Sequence, residues 1–381
     1  MFLRQISLVL MAFSLLWLTG CPSPVKVPPT ATPKPMVGVN APWATLAANL
    51  AQDGLDPDKL RAFFNRSDLV FTSLPMATKL RELFTIFYRA DLTKEVQEKL
   101  YQLGYDILID GRNGSGTQQT IKLFQKEKRL AQTGVLSDAL NAQLDLALRT
   151  GRVRTLQAYQ PPPPQVPVQG RTYQRLTTPQ ALRQIKNYYL ADRAIFDKME
   201  SRYHVPGAVV AAIMWVETSY GNFFGNYKAA EILASMAASS DYNLVAAAVR
   251  DLEVDQTARD YLTQTSVQRG HWAYEEIKAL LINAWENGAD PLNMPGSIFG
   301  AVGYGQFMPT NLDKYVVDAN GDKKRDIFNK EDAIFSIGNF LRDNGWSGEM
   351  TLGKQRLAIR NYNNSAVYIN TVLFIMEYLL K

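Results

Sequence analysis

One carboxylate stands inside an otherwise apolar run. Between Val205 and Ala230 the only acidic residue is Glu217, preceded by Val, Ala, Ile, Met and Trp side chains. An ionised glutamate is costly in such surroundings, so its pKa is expected to rise. A carboxylic acid kept protonated near neutral pH can give its proton to a leaving oxygen. The alternative for Glu217 is a helix-end side chain that points to water or caps the turn at Gly221. Two-carboxylate glycosidases need a second acid at a defined separation. A site with one acid must find its nucleophile elsewhere, and the substrate itself can supply it.

Three further clusters carry chemistry. Gly300 to Pro309 holds three glycines in six residues, which lets backbone approach a ligand closely. Within it Tyr304 and Phe307 offer ring faces, and Gln306 offers a two-ended amide. A tight helix-packing corner would have the same composition. Asn361, Tyr362, Asn363, Asn364 and Ser365 suit hydrogen bonding to sugar hydroxyls, and equally suit helix capping. Asp318, Asn320, Asp322, Lys324, Asp326 and Asn329 occupy positions one, three, five, seven, nine and twelve of a calcium-loop spacing, Lys324 through its carbonyl. Glycine is absent from position six, and Asn329 stands where a bidentate Glu is usual. The expectation is weak, structural calcium, against an empty polar turn. His204 and His271 are the only histidines, too far apart to suggest a metal pair or a His-based triad.

The elements that must position these groups read as mostly helical. Pro206 opens the buried helix that carries Glu217, in a first turn where its missing N–H costs nothing. Thr178 and Pro179 open a helix predicted to run to about Tyr203. Further helices are predicted over 208–220, 229–239, 243–254, 272–287, 333–344 and 367–380. Tyr220, Phe223, Phe224 and Tyr227 follow the acid, and one or two of them are expected to touch ligand while the rest pack in the core.

At 381 residues, 46% apolar and 20% charged, the chain is globular and long enough for two or more domains. Its net charge of +5 is mild and the basic residues are unclustered, which argues against nucleic acid. Residues 1–20 read as a secretion signal, with Arg4, an apolar stretch from Ile6 to Trp17 and a small-residue cleavage region. The stretch is too short for a finished span. Cys21, the only cysteine, would become the new N-terminus. Leu18 to Cys21 looks like a bacterial lipoprotein signal, which implies a lipid anchor at Cys21. With Pro22 following, the outer membrane is the expected location, facing the periplasm. Residues 21–42 form a proline-rich tether, 43–90 a helical segment, 91–150 a compact module and 151–170 a second proline-rich linker ahead of 171–381.

The 91–150 module resembles the small three-helix peptidoglycan-binding domain of cell-wall hydrolases. The likeness is carried by Leu103, Gly104, Tyr105, Asp110, Gly111, Gly114, Thr117, Phe124, Gln125, Thr133, Gly134 and Leu136. Asn113 replaces the usual aromatic, and Lys128 and Arg129 precede Leu130 without glycine, which puts wall affinity in question. Residues 171–381 resemble the membrane-bound B type of lytic murein transglycosylase. That likeness is carried by Val216 to Gly221, by Gly296 and Ser297 leading into Gly303 to Pro309, and by Asp318 to Asp322 with Tyr362 and Asn363.

The resemblance implies a mainly α, lysozyme-like catalytic domain without a required cofactor. It implies peptidoglycan glycan strands as partner and Glu217 as acid then base. Ser297, Tyr304, Gln306, Tyr362 and Asn363 would line the glycan groove. The implied product is a 1,6-anhydro ring on N-acetylmuramic acid, formed as the β-1,4 bond to N-acetylglucosamine breaks. A catalytically inactive wall-binding lipoprotein and a hydrolytic lysozyme are the alternatives. Protein partners are not legible.

Overall fold

The computed structural model describes residues 34–151, 153–156, 159–160, 171–252 and 255–381. The signal sequence, Cys21 and the proline cluster at 161–167 lie outside them. The protein is mainly helical. In chain order the helices are α1 Ala44–Gln52, α2 Pro57–Phe64, α3 Leu74–Phe87, α4 Ala90–Gln102, α5 Ser115–Glu127, α6 Asp138–Thr150, α7 Pro179–Ala191 and α8 Arg193–Tyr203. They continue with α9 Gly207–Thr218, α10 Ala229–Ala238, α11 Gln256–Glu286, α12 Leu312–Tyr315, α13 Lys330–Asp343, α14 Leu352–Tyr362 and α15 Ala366–Leu380. Two short strands, β1 Tyr227–Lys228 and β2 Pro295–Gly296, pair antiparallel.

The chain divides into two compact units. One is drawn from Met1–Pro75, Pro167–Ser240 and Gln268–Lys381, the other from Met76–Val166 and Asp241–Val267. The first unit is built around α9, in which all twelve residues are buried. A helix apolar on every side belongs in a core, and α9 packs against α15, α7, α8 and α13. Pro206 sits at the N-cap, one residue before the first helical position. The predicted helix from Thr178 breaks in two at Asp192, whose carboxylate accepts the Tyr220 hydroxyl at 2.9 Å and pairs with Lys330 at 2.8 Å. Residues 43–75, expected as part of a separate segment, belong to this unit, with Trp43, Leu50, Leu60 and Phe64 buried.

In the second unit α4, α5 and α6 enclose Val96, Leu100, Ile107, Ile121, Phe124, Leu140, Leu144 and Ala147. Gln97 is fully buried and organises the turn at 110–117. Its Oε1 accepts from the N–H of Asp110 and Gly111, and its Nε2 donates to Asp110 Oδ1 and Thr117 Oγ1. Thr117 lies inside α5, which begins at Ser115 after Gly114. The helix predicted over 243–254 is instead two 3-10 turns, Tyr242–Leu244 and Ala246–Leu252, with a non-helical Val249. The helix predicted from Trp272 starts at Gln256, where Asp255 Oδ1 accepts the Ala258 N–H at 2.7 Å and fixes the end.

Candidate active site

Glu217 lies in the last turn of α9 and is 6% exposed. Its two oxygens are treated differently. Oε1 accepts the Tyr368 hydroxyl at 2.6 Å, whereas Oε2 is buried and unpartnered. Burial raises the carboxyl pKa well above its ordinary 4.5, and the Tyr368 hydrogen bond opposes that shift. No other carboxylate among the described residues contributes to it. Tyr368 and Tyr362 are themselves pushed well upward, by burial first and by the Glu217 charge second, so both phenols keep their protons and act as donors. The water-facing alternative for Glu217 does not hold.

The helix end is shaped by backbone that leaves α9 in a left-handed run. Ser219, Tyr220 and Gly221 have φ of 49°, 63° and 86°. Gly221 is required twice over, because its φ is positive and a Cβ there would lie 2.2 Å from Tyr304 Cε1. Thr218 Oγ1 bridges the two segments. It accepts the Gly221 N–H at 3.0 Å and reaches the Tyr304 carbonyl at 3.2 Å. Past the turn, β1 pairs with β2, and β2 leads directly into Ser297. Gly296 then bridges to Val302, and Val302 to Phe307. The strand pair and these bridges therefore hold the glycine loop beside the acid-bearing helix.

Gln306 sits in that loop at φ 48° and is 7% exposed. Its Nε2 donates to the Phe224 and Gly303 carbonyls at 3.2 and 3.1 Å, and its Oε1 is buried and unpartnered. Tyr362 donates its hydroxyl to the Gly305 carbonyl, and a Cβ at Gly305 would come within 2.7 Å of that hydroxyl. Tyr362 also lies parallel to Tyr368, with ring centroids 6.4 Å apart. The two phenols thus connect the glutamine loop to Glu217. Asn363 is 1% exposed, with Oδ1 on the Ser365 N–H at 3.1 Å and Nδ2 buried and unpartnered. Ser297 is buried and its Oγ accepts from the Phe299 and Ala301 N–H groups, which leaves its own hydrogen to donate. Tyr304 is half-buried, edge-on to Phe224 at 5.0 Å.

Of the aromatics after the acid, Tyr220 is a buried brace, stacked on Tyr188 and bonded to Asp192. Phe223, Phe224 and Tyr227 are half-buried.

The 318–329 loop is held by side-chain-to-backbone hydrogen bonds. Asn329 Oδ1 accepts the Glu331 and Asp332 N–H groups and so caps α13. Asp326 Oδ1 takes the Phe328 N–H at 2.8 Å. The other side chains of the loop are engaged in the same way: Asp318 accepts the Gly321 and Lys323 N–H groups, Asn320 the Asp322 N–H and Asp322 the Lys324 N–H. The carboxylate that faces into the loop is Asp332, fully buried, which accepts from the N–H of Ala319, Asn320 and Asp326. Burial raises its pKa, and the Asp318 charge adds to that. Two carboxylates that repel across a loop with Asn320 and Asp322 on its rim have the chemistry of an oxygen-ligated cation site. Among the described residues no group of three or more His, Cys, Asp or Glu side chains converges closely enough to hold a metal ion.

Three residues escaped the sequence reading: Tyr368, Asp332 and Tyr173. The pKa of Tyr173 is raised by burial and by the Glu217 charge. Tyr368 follows the Ser365 cap by three residues and lies in the first turn of α15, an apolar helix in which a tyrosine reads as core.

Residues 116–356 match the family model described as transglycosylase SLT domain. More than half of the chain is covered, and the chain belongs to that family. The matched span contains Glu217, Ser297, Tyr304, Gln306 and Asp332, starts inside the 91–150 module, and ends before Tyr362. A 144-residue segment is 31% identical to membrane-bound lytic murein transglycosylase B of Escherichia coli (strain K12). It covers 38% of this chain and 33% of that protein, so the chain spans about a third of the length of this curated relative. Similar solved structures include the Escherichia coli lytic transglycosylase Slt35 in complex with calcium, at 20% identity and a TM-score of 0.46, covering 75% of this chain and 97% of that one. SltB3 from Pseudomonas aeruginosa, in complex with NAG-anhNAM-pentapeptide, is 22% identical with a TM-score of 0.43, covering 53% and 64%. The family assignment rests on the sequence match.

Proposed function

We propose that the chain is a peptidoglycan lytic transglycosylase acting on the β-1,4 bond between N-acetylmuramic acid and N-acetylglucosamine. The observation that carries this reading is the division of labour on Glu217. Tyr368 occupies Oε1, so the acid proton resides on Oε2, the oxygen no protein group satisfies. From there it passes to the glycosidic oxygen as the C1–O bond breaks. The substrate's acetamido group assists at C1. Glu217, now a carboxylate held by the Tyr368 hydroxyl, removes the proton from the muramic 6-hydroxyl, which closes on C1. The proton count balances with no water consumed. Ser297, Tyr304, Gln306, Tyr362 and Asn363 position the sugar rings.

No cofactor enters these steps. A calcium ion held by Asp318, Asn320, Asp322 and Asp332 would be structural, with the Lys324 carbonyl as a further oxygen donor. We also assign the lipid anchor to Cys21, an outer-membrane location facing the periplasm, and glycan binding to the 91–150 module. Among the described residues no helix is long and apolar enough to cross a membrane.

Mass spectrometry of digested sacculi tests the reading. Muropeptides lighter by one water than lysozyme products are expected. Reducing-end muramic acid as the main product would identify a hydrolase. Tight wall binding without any released fragment would identify a binding protein.

A further inference from the structure

We infer that Glu276 is a positioning residue for Gln306, acting through Thr310. This rests on the proposed role of Gln306 in holding the glycan. Gln306 has φ 48°, a left-handed conformation that a non-glycine side chain adopts only when its surroundings impose it. The loop is therefore expected to be pinned on both sides of that residue. Before it, the Tyr304 N–H donates to the Ile327 carbonyl at 3.2 Å, and the Gly305 carbonyl accepts from Tyr362. After it, the chain passes Phe307 and Met308 into the 3-10 turn Pro309–Asn311.

Phe307 is paired both ways with the Val302 backbone, at 2.9 and 3.0 Å, and the second pin on that side is a carboxylate. Glu276, from the middle of α11, is 4% exposed, and each of its oxygens takes one donor from the same residue. Oε2 accepts the Thr310 N–H at 2.9 Å and Oε1 accepts the Thr310 hydroxyl at 2.9 Å. A bidentate grip on one residue fixes both the position and the orientation of the turn four residues beyond Gln306. Burying a carboxylate costs more than a neutral anchor would. The two donors offset part of that cost, and the geometry gives the group no other task. Without the grip, the Val302–Phe307 pair still holds the residue after Gln306, but the Thr310 turn beyond it can shift and displace Gln306 Oε1 from its place in the site.

The test compares KM and kcat on soluble glycan strands in four variants. Thr310 is exposed, so Thr310→Val folds and removes one of the two donors. It is expected to raise KM roughly fivefold to tenfold, the loss of about one hydrogen bond, with little change in kcat. Glu276→Gln should be close to wild type, because its amide accepts the Thr310 N–H and donates to the Thr310 oxygen. In a Gln306→Ala background, Thr310→Val should add nothing, because the residue it positions is gone. An unchanged KM in Thr310→Val, or full additivity with Gln306→Ala, overturns the inference. Failure of the transglycosylase reading is seen separately, in the mass of the wild-type product.

Discussion

Replacing Tyr368 by Phe deletes one oxygen and leaves the ring that packs beside Tyr362. The lost contact is the 2.6 Å hydrogen bond to Glu217 Oε1. In the ground state the acid is protonated and this bond is neutral, worth about 1 kcal/mol. As the proton leaves Oε2, negative charge develops on the carboxylate, and a hydrogen bond to a charged group is worth about 1.5–3 kcal/mol. The difference, about 0.5–2 kcal/mol, is transition-state stabilisation that Tyr368→Phe removes. It corresponds to a roughly 2- to 30-fold fall in kcat. The same bond opposes the upward pKa shift of Glu217. Its loss therefore raises that pKa further and moves the alkaline limb of the kcat–pH profile to higher pH. Initial rates of fragment release from sacculi, followed by chromatography and mass spectrometry across pH, measure both effects. An unchanged kcat, or an alkaline limb that moves downward, would refute the assignment of Tyr368.

Glu217→Gln should abolish turnover and also stabilise the fold in a pH-dependent way. A carboxyl whose folded pKa is raised contributes fully below its unfolded value of 4.5 and loses that contribution as pH rises toward the folded pKa. The Tm advantage of the Gln variant should therefore be absent in acid and grow with pH; a Gln variant less stable than wild type at pH 8 would contradict the burial argument. Calcium should raise Tm in the wild type and leave Asp332→Asn unmoved, whereas Asn329→Ala should lose about 1 kcal/mol of helix capping and keep the calcium response. Thermal shift with and without chelator decides, and an intact response in Asp332→Asn would return Asn329 to the ligand set. Gly221→Ala should cost about 2–4 kcal/mol, from its left-handed φ together with the collision with Tyr304. Urea unfolding measures this, and a loss below about 1 kcal/mol would mean that the turn can open.

The acid-bearing helix was legible because an unbroken apolar run has one stable place, and a single carboxylate within it stands out. The glycine loop was legible from composition for the same reason that Gly221 and Gly305 are needed, namely that ring and hydroxyl atoms occupy the space a Cβ would fill. Tyr368 was hidden, because in an apolar helix a tyrosine at the third position reads as core. Its hydroxyl matters only once α15 is packed on α9. Asp332 lay beyond a twelve-position calcium template, and only the folded loop shows its carboxylate turned inward while Asn329 turns to the helix end. The break at Asp192 carries no local signal. Its cause is a tertiary pair of partners, Tyr220 and Lys330, that the sequence places 28 and 138 positions away.

The site also explains why it is embedded in so rigid a core. Glu217 Oε2, Gln306 Oε1 and Asn363 Nδ2 are buried without protein partners, and each such atom costs about 1–3 kcal/mol. Ser219, Tyr220 and Gln306 add left-handed backbone, at about 1–3 kcal/mol each. A loosely packed scaffold would relieve both by turning these groups to water or to one another. The wholly buried α9, wedged between α15 and α13, prevents that relaxation. What is left open is a set of one acid oxygen, one amide acceptor and one amide donor. An apolar ligand would satisfy none of them. Hydroxyls and acetamido groups offer both donors and acceptors, which is the chemistry the proposed glycan substrate presents.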